Sequence, residues 1–251
     1  MIGVRWLARL RDAWRPPDRI ADADWARLLA SSRLFDRLDA TQRGHLRELS
    51  ERFLARKRFS AAGGHVLEDA HCLAIAALAA LPVLNLGFEA LAGWREVIVY
   101  PGEFRVRRTH HDEESGVVTE GDEALIGEAW ERGPLIVSWA DIATDLEHPF
   151  DGFNVVVHEI AHKLDMLDGA ADGMPPLPAT IARREWIHTM QRAYDALAAA
   201  VDRGEETAVD PYAAESADEF FAVVSELHFS DPATLATAMP GVAGLLRRYY
   251  G

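Results

Sequence analysis

The stretch VVVHEIAHKLDMLDG, residues 155–169, sets His158 and His162 four positions apart with Glu159 between them. Around it, Phe153, Val157, Ile160, Leu164 and Leu167 recur at steps of four, three, four and three. That spacing predicts an α-helix over 153–167 with one buried stripe. His158 and His162 then lie one turn apart on the adjacent stripe, so both imidazoles reach the same point above the core. Two neutral imidazoles suit Zn²⁺, a borderline ion at home with nitrogen donors. Glu159, offset by one residue, stands beside such an ion, where it can take a proton from water. A surface helix with two solvated histidines would spell the same letters. The apolar run before the motif and the Asp168-Gly169 helix end after it favour a half-buried site. Asp165 continues the histidine stripe. It either orients a ligating histidine from behind or is solvated.

A catalytic zinc commonly has three protein ligands and a water. HExxHxxGxxH is excluded, because positions 165 and 168 are both Asp. The third ligand must come from a later element, and DPYAAESADEFFAVVSELHF, residues 210–229, is the best source. Phe220, Val223, Val224 and Leu227 make its core stripe, with Glu215, Glu219, Ala222 and Glu226 alongside. Acidic residues in that position are usually a helix's wet edge, and spacing does not choose among Glu215, Glu219 and Glu226. His188 competes as a donor but lies on a helix rich in charges. His110 and His111 sit in a polar loop that reads as solvated.

Outward from these segments the chain reads as helices, then a small sheet, then helices. Residues 23–81 read as helical, with Thr41 as an N-cap. CLAIAALAALPVLNLGF, residues 72–88, is uncharged for 17 positions. It is short for a bilayer span and broken by Pro82, Asn85 and Gly87, so it reads as a buried helix and turn. EVIVY (96–100), FRVRR (104–108), GVVTE (116–120) and PLIVSW (134–139) are strand candidates. Residues 141–152 read as a loop. Helices follow at 153–167, 180–202, 214–228 and 232–248. The expected class is α+β, mainly helical, with a small mixed sheet and no βαβ alternation.

The 251 residues, 49% hydrophobic and 26% charged, describe a soluble globular protein. A net charge of −14 repels phosphate backbones and argues against direct nucleic-acid binding. The one basic stretch is at the start, with five arginines among residues 1–19. It reads as a loosely ordered tail over 1–21 that could also lie on an anionic membrane, ahead of a single domain at 22–251. It lacks the apolar core of a secretory signal. The single Cys72 excludes an intramolecular disulfide and a cysteine-based metal site. A cytoplasmic protein without a membrane span is expected.

Five separated stretches carry a family resemblance: RFLARKRF, GWREVIVYPGEF, VVTEGDEALIGEAWERGPLIVSW, FNVVVHEIAHKLDMLDG and DPYAAESADEFFAVVSE. They resemble, in order, the Mlc titration factor A family of zinc-dependent peptidases. The family is similar to gluzincins, with a catalytic core like that of anthrax lethal factor. The resemblance covers residues 22–250 and not the tail. It implies one Zn²⁺ per chain, with His158, His162 and Glu219 as ligands and Glu159 as general base. It further implies that Tyr212, seven residues before Glu219, acts in the reaction itself, as a hydroxyl donor to the developing oxyanion. The implied activity is hydrolysis of a peptide or protein substrate, aminopeptidase-like on small ones. The implied partner is a Mlc-like repressor, which the chain would bind as a regulatory protein. A structural zinc domain is a third reading, but such a site normally closes its fourth position with protein.

Overall fold

A computed structural model describes residues 19–102 and 133–251. Residues 1–18 of the tail expected over 1–21, the FRVRR and GVVTE strand candidates and His110 and His111 lie outside the described residues, whereas Ile20 is buried in the core. Helix α1 spans Asp22–Ser31 and α2 Ala40–Arg56; strand β1 spans Arg58–Ala61 and α3 Asp69–Ala80. Strand β2, Glu96–Tyr100, and β3, Leu135–Ser138, lead into α4, Trp139–Glu147. The remaining helices are α5 Val155–Asp165, α6 Arg183–Asp202, α7 Ala217–Ser230, α8 Pro232–Ala238 and α9 Pro240–Tyr250.

The α+β, mainly helical architecture is as expected, with differences in its parts. The described sheet has the order β1-β2-β3 and is parallel throughout, with Phe59 opposite Val97 and Val97 opposite Leu135. No antiparallel pair exists among the described residues. β1 falls inside the stretch that reads as continuous helix. Only Phe59 of its four residues is fully buried, too short a pattern to announce a strand. The N-cap of α2 is Asp39 rather than Thr41: its carboxylate accepts from Gln42 N at 2.8 Å while the Gln42 side chain accepts from Asp39 N, a reciprocal capping box.

The segment expected to be a loop at 141–152 is largely helix α4. Ser138 caps it by accepting from Asp141 N, and Ile142 and Asp145 are buried. Phe153 and Leu167, read as ends of the buried stripe of α5, are 51% and 41% exposed. The helix begins after Phe153 and ends before Leu167, so its core face is Val156, Val157, Ile160, Ala161 and Leu164. The expected helix 232–248 is two helices, because Pro240 removes an N–H donor and starts a new one.

α3 is the buried centre expected for residues 72–88: Cys72 through Ala80 are all buried. Among the described residues, one hydrophobic cluster runs from Ile20 to Tyr250. Within it α5 and α7 pack on each other more extensively than any other pair of elements. Two helices held side by side by interdigitating apolar rows keep the polar residues along their shared edge at fixed separations. No described helix is long and apolar enough to cross a membrane.

Candidate metal centre

α5 contributes His158 and His162, and α7 contributes Glu219. Each helix starts at a capping side chain: Asn154 Oδ1 accepts from Val157 N at 3.0 Å, and Ser216 Oγ accepts from Glu219 N at 3.4 Å. His158 Nε2 lies 3.2 Å from His162 Nε2 and 3.1 Å from Glu219 Oε2, and His162 Nε2 lies 3.3 Å from the same oxygen. These three atoms form a nearly equilateral triangle. Bonds of about 2.0–2.1 Å to a tetrahedral ion would set its ligands roughly 3.3–3.4 Å apart. The triangle therefore has the right size. Among the described residues, this is the one group of three or more histidines, cysteines or carboxylates arranged to hold a metal ion.

The donor chemistry fits as well. His158 Nδ1 faces Glu226 Oε1 at 2.6 Å, so this nitrogen carries the proton and donates to the carboxylate. In the neutral imidazole Nε2 is then a bare lone pair aimed at a second ring nitrogen and an anionic oxygen. Positive charge between these atoms, a proton or a metal ion, is favoured. Burial opposes a proton on His158, but Glu219 and Glu226 outweigh it and raise this imidazole to about 10. Burial likewise opposes charge on Glu219, and the two imidazoles outweigh it, holding this carboxyl well below the usual carboxylate range. His158, His162 and Glu219 are thus placed to hold a metal ion.

Glu219 and Glu226 are 4% and 6% exposed, so the expectation of a wet helix edge fails for both; Glu215 remains exposed. Helix α5 covers that edge. Glu226 is not in the triangle. One oxygen accepts from His158 and the other from Asn154 N at 2.7 Å, so it orients a histidine and fixes the start of α5 together. From the sequence Glu226 reads as a ligand candidate or a wet edge, and not as a support for His158. Its place two turns beyond Glu219 on the same face was the available signal. Asp165 does neither thing expected of it: it is fully buried and accepts from Gly173 N at 2.8 Å. Gly173 has φ +78°, and a Cβ there would lie 2.5 Å from Ala217 O, so only glycine lets this loop close on the start of α7. His188 is exposed and apart from the triangle.

Glu159 is half-buried next to His158. Tyr212 stands on a short 3₁₀ turn, Pro211–Ala214, capped by Asp210 Oδ1 accepting from Tyr212 N at 2.8 Å. Its ring is 40% exposed, with its centroid 6.2 Å from that of His158. Four of the five residues singled out by the resemblance thus stand on facing helices, and the fifth overlooks them.

A family model described as glucose-regulated metallo-peptidase M90 matches residues 6–251. The chain belongs to this metallopeptidase family. Mlc titration factor A of Serratia proteamaculans is 37% identical over 231 residues, spanning 91% of this chain and 86% of that protein. The Cronobacter sakazakii protein of the same name is 37% identical over 92% of this chain and 87% of its own. That of Salmonella arizonae is 36% identical over 94% of both. For a member of the M90 family, two histidines and a glutamate placed to hold a metal ion are a site of the expected kind.

Proposed function

We propose that the chain is a zinc-dependent peptidase, and that His158, His162 and Glu219 bind one Zn²⁺ per chain. The observation that carries this reading is the convergence of His158 Nε2, His162 Nε2 and Glu219 Oε2 at 3.1–3.3 Å from one another. Two imidazole nitrogens and one carboxylate oxygen are a donor set suited to zinc, and three protein ligands leave a fourth position for reactants. When bound, the ion supplies Lewis acidity toward water and the scissile carbonyl.

The remaining chemistry falls to the side chains. Glu159 takes the proton of the attacking water on a carboxylate oxygen and delivers it to the leaving amine nitrogen. Tyr212 donates its phenolic hydrogen to the carbonyl oxygen as negative charge develops there. Glu226 holds His158 in the tautomer whose Nε2 faces the metal. The substrate is a peptide or protein, held extended along β3, an edge strand among the described residues. Aminopeptidase-like action on small substrates and a cytoplasmic location complete this reading.

Zinc per chain by elemental mass spectrometry, on wild type and Glu219→Ala purified side by side, is the test. About one zinc in wild type and a large loss in the variant is expected. No zinc in either, even after incubation with the metal, would overturn the reading. The relatives' name, Mlc titration factor A, favours a second role: binding a repressor of the Mlc type. Capture of such a repressor by metal-stripped and metal-loaded protein alike would make binding independent of the peptidase site.

A further inference from the structure

A cleft of ≈ 320 Å³ opens beside the metal triangle, between the approach to α5, the Pro211–Ala214 turn and α7. That volume is at the low end for small-ligand pockets, roughly 300–1,000 Å³, and suits one long side chain. We propose that this cleft is the subsite for a cationic substrate side chain, lysine or arginine. The proposal rests on the peptidase reading above.

Its walls are apolar: Phe153, Tyr212, Val223 and Leu227. Phe153 and Tyr212 present rings that are 51% and 40% exposed. The cleft is contiguous with the metal centre at two points. The Tyr212 ring lies tilted with its centroid 6.2 Å from that of His158, and Glu226, which holds His158 Nδ1, is part of the lining. Gly152 keeps the mouth open. Its φ is +100°, and a Cβ there would sit 3.3 Å from Leu227 Cδ2.

Charge decides the occupant. Asp151 and Asp210 also line the cleft. Each accepts from a backbone N–H in its own turn: Asp151 from Phe153 N at 3.0 Å, and Asp210 from Tyr212 N at 2.8 Å. Among the described residues neither is paired with an arginine, lysine or histidine. Glu226 adds negative field, but both its oxygens are engaged. An anionic side chain is repelled here, and a short aliphatic one leaves the rings and carboxylates uncovered. A long apolar stem with a cationic head matches walls and charge together, with the exposed rings adding cation–π attraction. A free α-amino group shares the ammonium chemistry but has no stem to cover Phe153 and Leu227.

The test is calorimetric binding of amino-acid hydroxamates to the full, zinc-loaded chain at low salt, a readout that needs no turnover. The probes are Nα-acetyl-lysine, Nα-acetyl-norleucine and Nα-acetyl-glutamate hydroxamates, plus norleucine hydroxamate with a free α-amine. The Nα-acetyl-lysine compound should bind about five-fold or more tightly than its norleucine counterpart, and the glutamate compound weakest. In Asp151→Asn/Asp210→Asn, which keeps both turn-capping oxygens, the lysine preference should shrink to about two-fold or less. Equal binding of all three acetylated probes would overturn the proposal while leaving the metal centre standing. So would a lysine preference that survives the double substitution. Free norleucine hydroxamate matching Nα-acetyl-lysine hydroxamate would reassign the carboxylates to the α-amino group and overturn it as well. Binding of none of the probes to the zinc-loaded chain would overturn the proposal, while the zinc reading stands or falls on the zinc content measured above.

Discussion

At the scale of single residues, three carboxylates near one metal position do three different things, and burial and neighbours separate them. Glu219 points an oxygen into the triangle, Glu226 backs His158, and Glu159 stands half-buried beside that histidine. On the proposed mechanism, Glu159→Gln keeps the shape and the three candidate ligands and removes the proton acceptor. Its zinc content should match wild type, while kcat falls by about 10²–10⁴, the usual worth of general acid–base catalysis. A variant that cleaves a peptide substrate as fast as wild type would remove Glu159 from the reaction. Glu226→Ala takes away the acceptor for His158 Nδ1–H and for Asn154 N. Loss of such an orienting partner weakens metal affinity by roughly 10–100-fold. Competition against a chromophoric chelator would read that loss directly, and an unchanged affinity would show that packing alone sets His158.

At the scale of elements, the site depends on how α4 meets α5. Asp145, near the end of α4, is buried and accepts from Val155 N at 2.8 Å, in the first turn of α5. Burial pushes its carboxyl up to about 7, with the nearby Glu226 charge pushing the same way and the Val155 hydrogen bond opposing. A folded-state value above the ordinary 3.8 means that the folded chain keeps a proton the unfolded chain gives up. This group's contribution to stability is therefore full below about pH 4 and is lost as pH rises to about 7. Asp145→Asn keeps an acceptor for Val155 N and removes the buried charge. Its stability advantage over wild type should be larger at pH 8 than at pH 4.5 by on the order of 2 kcal/mol. Urea unfolding in chelator, which keeps metal linkage out of the comparison, measures it. A variant less stable at both pH values would mean that the carboxylate is needed as such. Lys57 shows the same economy of buried charge. It closes α2 and donates to Leu91 O and Trp94 O, and burial first, then Lys163 and Arg95, lower it to about 7.

At the scale of the whole molecule, the metal helix and the glutamate helix belong to one hydrophobic cluster that includes α3. Cys72, the only cysteine, is fully buried there, and burial pushes its thiol well above the ordinary value. Alkylation should therefore report global opening. Native protein should stay less than about one-tenth labelled over a time that labels the denatured chain completely. Fast native labelling would mean that α3 opens on its own. Local pattern alone is enough for the helix of His158 and His162, the buried α3, the strands at 96–100 and 135–138 and the mainly helical class. Each of these is written in local periodicity or an uninterrupted apolar run. By residue spacing alone, Glu215, Glu219 and Glu226 stayed equivalent, and only likeness to relatives separated them. The tertiary structure decided that Glu219 faces the histidines, that Glu226 holds His158 from behind and that Asp165 is tied to Gly173. It also decided that residues 58–61 join a sheet and that Phe153 lies outside the core. Those outcomes depend on which face of one helix another helix covers, and such contacts join residues up to 72 positions apart. A local pattern can say that a side chain lies on a helix edge, but only packing says whether that edge meets water or a neighbour.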